Sequence, residues 1–207
     1  QIYESNSHQL AALVHEAGGD AVVLHLVDDV AGVQQALARA SSDVDLVVST
    51  GGVSVGDFDV VRDALAGGDV SFVSVTMQPG KPQGAGRLAD GTPIVALPGN
   101  PVSSFVSFEV FVRPAIRRLA GAARVTRRRV RARLDTAMSS PAAREQYARV
   151  ALTWPDGVPV ATPVGGRGSH LMGALASADG LAVIPAEVTQ VEAGTTVDVI
   201  DLREDAR

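Results

Sequence analysis

The 207-residue chain has no cysteine. That excludes disulfides and thiolate metal sites, and it fits a cytoplasmic protein, the location expected here. Lysine is almost as scarce: Lys81 stands alone among 18 basic residues. No apolar run approaches the roughly 18 residues a membrane helix needs, so no membrane partner is expected. The opening Gln1-Ile2-Tyr3-Glu4 lacks the basic-then-apolar pattern of a secretion signal. Basic residues are outnumbered as well. A net charge of −5 argues against whole-surface nucleic-acid binding. Neither an internal repeat nor a low-complexity tract is present.

What is abundant is ordinary apolar sequence, 46% of the chain, enough to bury sizeable cores. Its first 120 or so residues alternate two periodicities. Helical spacing marks 7–17, with Asn6 or Ser7 as the cap and Gly18-Gly19 as the stop, and then 30–40, 57–66 and 101–119. Short β-branched runs at 21–27, 44–49, 70–77 and 94–97 suit buried strands. The alternation predicts an α/β fold, a mostly parallel sheet with flanking helices, over residues 1–121. The pattern then changes. Period-two alternation at 127–134, further strands at 147–153, 158–162, 181–184 and 196–200, and a short helix at 171–176 predict a small, mainly β domain over 122–207. Arg127, Arg129, Arg131 and Arg133 share one face of its first strand. With no aromatic residues interleaved to stack bases, that face is expected to be simply solvated.

Three Gly/Pro-rich loops are predicted to leave strands at the carboxyl edge of the first domain's sheet, where open α/β sheets bind ligands. In Thr50-Gly51-Gly52-Val53-Ser54-Val55-Gly56-Asp57 the glycines let backbone N–H groups converge before a helix N-terminus. The Thr50 and Ser54 hydroxyls could donate to phosphate there. A tight turn with an Asp cap has the same sequence, and this is neither a Walker loop nor a dinucleotide fingerprint. In Gln78-Pro79-Gly80-Lys81-Pro82, two prolines stiffen a turn that presents a compact ammonium, where arginine would present a planar fork. In Leu97-Pro98-Gly99-Asn100-Pro101-Val102-Ser103-Ser104, Asn100 is placed to cap the next helix and Pro101 occupies its first position. Asp28 and Asp59 bring carboxylates to the same edge. They suit either helix caps or the one or two ligands of a Mg²⁺ shared with substrate phosphates. Jointly the loops point to an anion site.

The same segments, in this order and spacing, resemble MoeA-type molybdopterin molybdenumtransferases, a family that includes the E domain of gephyrin and its plant counterparts. The stretch Gln1-Ile2-Tyr3-Glu4-Ser5-Asn6 is similar to the family's sequence after the first strand of its molybdopterin-binding domain. The likeness covers essentially the whole chain. It implies insertion of molybdate into adenylylated molybdopterin with release of AMP, aided by Mg²⁺. Asp28 and Asp59 would be active-site carboxylates and metal ligands, and Lys81 would pair with phosphate charge. Residues Gly51, Gly52, Ser54, Gly56 and Asp57, with Pro98, Gly99, Asn100, Pro101 and Ser103, would cradle the pterin phosphate and nucleotide. Gln78, Pro79 and Gly80 would carry Lys81, and Arg149 and Ser169 would serve from the β domain.

The resemblance also implies an elongated homodimer whose cleft is completed by N-terminal regions that here would precede Gln1, as would the sheet's first strand. By itself this length of chain is expected to be catalytically incomplete. Many relatives carry lysines where this chain has Ser74 and Gln78, so the cleft is expected to be less basic. A molybdopterin adenylyltransferase shares the α/β domain. Its loop reads more like Thr-Gly-Gly-Thr-Gly, however, and it lacks the β domain. A non-catalytic pterin-binding or scaffold module is the remaining alternative.

Overall fold

The computed structural model describes residues 4–26, 29–53, 59–165 and 172–203. The chain forms two compact units, Gln1–Val75 with Gly80–Val125, and Thr76–Pro79 with Thr126–Arg207. Residues 76–79, expected at the end of a first-domain strand and the start of the loop after it, fall in the second unit.

In the first unit, α1 (Asn6–Glu16) and α2 (Val30–Ala40) precede β1 (Val47–Thr50), α3 (Val60–Ala64) and β2 (Asp69–Ser74). Within the second unit lies β3 (Met77–Gln78), after which the first resumes with β4 (Pro82–Arg87), β5 (Pro93–Leu97) and α4 (Pro101–Ser107). That last helix runs through a π turn, Phe108–Val112, into α5 (Arg113–Leu119). Strand β5 is buried on both faces. Leu97 packs with Leu10 and Leu13 of α1 and with Phe108, Val112 and Ile116. Ile94, on the opposite pleat, packs with Val33 and Leu37 of α2 and with Ala64 and Leu65. Each fully buried side chain of this size contributes about 1.5–3 kcal/mol relative to exposure. Glu109 of the π turn and Arg113 at the start of α5 form an ion pair, Nε to Oε2 at 4.0 Å, with side chains only 1% and 2% exposed.

The sheet is mixed, which corrects the mostly parallel expectation. Its order is β1-β5-β4-β2. Only β1 and β5 run parallel, whereas β4 is antiparallel to both β5 and β2. Strand β4, Pro82–Arg87, is disguised by its glycines. A Cβ on Gly84 would lie 2.8 Å from the Phe72 ring, and one on Gly86 would lie 1.9 Å from the Asp69 carbonyl oxygen. Close approach to β2 therefore demands the residues that hide the strand from a propensity reading.

A second correction concerns 21–27. Residues 21–26 pair with no strand among the described residues, and Val22, Val23, Leu24 and Leu26 are exposed. Buried-strand composition forms a strand only where a ladder partner takes up the backbone groups. Val27 lies outside the described residues. The strand expected at 70–77 is also divided, ending at Ser74 before β3 pairs elsewhere.

The second unit is a closed barrel. It contains β6 (Arg129–Leu134), β7 (Met138–Ser139), β8 (Glu145–Thr153), β9 (Val160–Pro163), α6 (Met172–Ala176), β10 (Gly180–Ile184), β11 (Gln190–Val191) and β12 (Thr196–Asp201). The order β10-β12-β6-β9-β8 closes through a β10–β8 pairing, and β3 adds to β8 in parallel. Closure removes the open edges. Alternate residues fill the interior, among them Ala132, Leu134, Val150, Leu152, Ala182, Ile184 and Val199. Arg129, Arg131 and Arg133 point outward and are exposed. Arg127 departs from that row, being buried with Nη1 donating to the Leu202 carbonyl at 3.1 Å. No helix among the described residues is long and apolar enough to cross a membrane.

Candidate functional site

The parallel pair β1 and β5 delivers two of the expected loops side by side. Thr50 is paired with Leu97 at the ends of the strands, and the Gly51 N–H donates to the Leu97 carbonyl at 3.0 Å. Gly51 and Gly52 both have positive φ, 82° and 74°. A Cβ on Gly52 would lie 2.6 Å from Val61 Cβ and 2.8 Å from Asp59 Oδ1, and one on Gly99 would lie 3.3 Å from Gly51 Cα. Glycine is thus required twice over at Gly52, by conformation and by space. The outcome is two backbone turns in near contact, with the buried Asp59 carboxylate against the first.

A polar network locks these turns, and its direction can be worked out atom by atom. The Asn6 amide Nδ2 donates to the Gly99 carbonyl at 2.7 Å and to Thr50 Oγ1 at 2.9 Å. A carbonyl only accepts, so the amide orientation is fixed. Thr50 Oγ1 also contacts the Pro98 carbonyl at 3.2 Å and Ser104 Oγ at 3.3 Å. Its one proton must go to Pro98, which leaves Ser104 as the donor to Thr50. The Thr50 hydroxyl is then saturated, with two bonds accepted and one donated. The Thr50 hydroxyl ties the two turns together.

Asn6 or Ser7 was expected to cap α1, and both lie within the helix. Asn6 is in its first turn and makes no cap bond, its side chain reaching across to the loops. Its Oδ1 is buried without a hydrogen-bond partner. Asn100, expected to cap α4 with its side chain, also makes no such bond. The Ser104 N–H takes the Asn100 carbonyl at 2.8 Å, and Pro101 has no N–H to satisfy. An exposed carboxamide therefore remains at the tip of the second turn. Asp59 does cap α3, accepting from the Arg62 N–H at 3.4 Å, and Asp29 caps α2 at 2.7 Å. Asp28, Ser54, Gly56, Asp57 and Ser169 lie outside the described residues.

The third loop is braced from within the first unit by Gln83. Its buried Nε2 donates to the Gly80 carbonyl at 2.7 Å and to Ser107 Oγ at 2.5 Å. The Val75 N–H donates to the Lys81 carbonyl at 2.7 Å. Lys81 is exposed, and among the described residues its ammonium has no hydrogen-bond or ion-pair partner. Pro98 and Ser103 are buried. The sequence reading missed Asn6 and Gln83 as site residues. Their amides carry no motif, since their role depends on contacts 93 and 24 positions away.

In the second unit, Gln78 precedes a cis peptide bond to Pro79. Arg149 is buried on β8, and burial lowers the affinity of its guanidinium for a proton. A Cβ on Gly165 would lie 3.9 Å from Arg149 Nη2 and 2.6 Å from Ala174 Cβ, so the turn there closes tightly near the arginine. Among the described residues, no group of three acidic or histidine side chains could enclose a metal ion. A Mg²⁺ shared with phosphates needs only one or two carboxylates, a donor set that Asp59 fits.

The family described as probable molybdopterin binding domain matches residues 1–118, and the MoeA C-terminal region (domain IV) matches residues 131–202. Molybdopterin molybdenumtransferase 2 of Mycobacterium tuberculosis is 47% identical over 210 residues, covering 98% of this chain and 51% of that protein. The molybdopterin molybdenumtransferase of a Nostoc species is 36% identical over 211 residues, covering 98% of this chain and 48% of that protein. A solved molybdopterin biosynthesis moea protein from Pyrococcus horikosii superposes with a TM-score of 0.79 at 28% identity, over 97% of this chain and 48% of that one. The chain spans about half the length of the curated relatives it matches. Carrying both the molybdopterin-binding region and the MoeA C-terminal region, the chain belongs to the MoeA family of molybdopterin molybdenumtransferases.

Proposed function

We propose that a protein of the relatives' full length inserts molybdate into adenylylated molybdopterin and releases AMP, as a cytoplasmic homodimer. The observation that carries this reading is the locked pair of glycine turns at the carboxyl ends of β1 and β5. Backbone N–H groups held at a strand edge suit the phosphates of an adenylylated pterin without reorganising on binding. Gly51, Gly52, Ser54, Gly56 and Asp57 are assigned to this ligand together with Pro98, Gly99, Asn100, Pro101 and Ser103. The exposed Asn100 carboxamide is available to a polar group of the ligand.

In this reading Lys81, carried on Gln78, Pro79 and Gly80, neutralises phosphate or molybdate charge. Asp59 and Asp28 hold Mg²⁺, which when bound would offset the charge of the phosphate oxygens. Arg149 and Ser169 are assigned oxyanion binding within the second unit. Molybdate-dependent AMP formation by the full-length protein, followed chromatographically, tests the assignment. AMP release indifferent to molybdate would refute it.

A further inference from the structure

We infer that Arg144, seated on the Gln78 side chain, is an oxyanion-binding residue of the second unit; this rests on the molybdopterin reading. Residues 76–78 and 144–146 are locked edge to edge. Met77 pairs with Glu145 and Gln78 with Gln146, and the Glu145 N–H donates to the Thr76 carbonyl at 2.9 Å. Just before the pairing starts, Ala143 takes a left-handed backbone conformation, φ 57°, with its N–H donating to the Ala186 carbonyl at 3.0 Å. A non-glycine residue is held there only when its surroundings impose it. The turn sets Arg144 so that Nη1 donates to Gln78 Oε1 at 3.1 Å.

The partner is what makes the arrangement informative. A half-buried guanidinium is ordinarily neutralised by a carboxylate. Among the described residues Arg144 has none, and the carboxylate next to it in sequence, Glu145, accepts instead from the Tyr147 hydroxyl. A neutral amide orients the fork while leaving its charge intact, and four of its five N–H donors stay available. A planar fork of that kind fits a tetrahedral oxyanion bidentately. Among the described residues, the exposed arginines of β6 lack such a seat. Molybdate and a phosphate ester share the chemistry that Arg144 would recognise.

Calorimetric titration of the 207-residue chain with sodium molybdate and, separately, with AMP distinguishes the two. Arg144→Ala is expected to weaken the relevant probe by about 10- to 100-fold, the range for a hydrogen bond to a charged group. Arg144→Lys, which keeps charge but loses the fork, should fall between. Gln78→Met should weaken binding by about 3- to 10-fold by releasing the guanidinium. Loss confined to molybdate identifies the metal oxyanion, and loss confined to AMP identifies the phosphate. Unchanged affinity for both probes in folded Arg144→Ala and Gln78→Met, whatever their melting temperatures, overturns the Arg144 assignment alone. Failure of the unaltered chain to bind either probe would contradict the pterin reading as well.

Discussion

Asn6 Nδ2 lies 2.7 Å from the carbonyl oxygen of Gly99, a hydrogen bond between the first turn of α1 and the loop after β5. The same nitrogen holds Thr50, so one amide joins three chain segments. Asn6→Ala is expected to destabilise the chain by about 1–3 kcal/mol, through two lost bonds and two acceptors left poorly satisfied. Asn6→Asp should be worse. A carboxylate has no proton for Gly99 and sets oxygen against oxygen, even though aspartate ordinarily favours a helix N-terminus. Denaturant unfolding of both variants checks the order. An aspartate variant more stable than the alanine variant would mean that Asn6 merely starts a helix.

The glycines of β4 make a separate prediction. Gly86→Ala places a methyl group against the backbone of β2 and should cost about 2–4 kcal/mol. Gly173→Ala in α6, where a Cβ meets nothing within 4 Å, should instead be neutral or stabilising by up to about 1 kcal/mol. Thermal melts of the pair provide the comparison.

How far the sequence was legible follows from the same residues. Helices α1, α2 and the long segment beginning at Pro101 announce themselves by apolar spacing, and β6 by strict alternation of arginine with small apolar residues. Strand β4 does not, because its glycines are chosen for backbone contact and lower its apparent β preference. The run at 21–26 misleads in the opposite direction, since composition records burial capacity and says nothing about whether a ladder partner is present. Of the motif segments, Gly51-Gly52 and Pro98-Gly99 were legible as turns, whereas Gln78 and Pro82 belong to strands. What could not be read was their bracing, because Asn6 and Gln83 act across the fold through single amides that any sequence could contain.

Burial, and then the neighbouring Glu145, raise the Tyr147 phenol above its ordinary value of 10.0. The folded state therefore holds that proton more tightly than the unfolded chain does. The stabilisation is complete below about pH 10 and is lost as pH rises through the folded value. Unfolding free energy should decline above about pH 10 in the unaltered chain, and Tyr147→Phe should flatten that decline. Equal slopes in the two proteins would remove Tyr147 as the titrating group.

Lys81 carries an exposed, uncommitted ammonium on a loop braced by Gln83. Lys81→Ala is expected to weaken binding of adenylylated molybdopterin by about 1.5–3 kcal/mol, with little change in melting temperature. Calorimetry giving the same affinity for variant and parent would exclude Lys81 from the site.

The central claim is that the locked turns at β1 and β5, with Asp59 against them, form the reaction site. Asp59→Asn keeps the side chain's shape and its capping oxygen while removing its charge, so the fold should survive. The measurement is molybdate-dependent AMP release by the full-length protein carrying this substitution, alongside its affinity for adenylylated molybdopterin. Turnover should fall by two orders of magnitude or more, roughly the worth of one well-placed charged group, with affinity largely retained. Turnover at the parental rate would contradict the account.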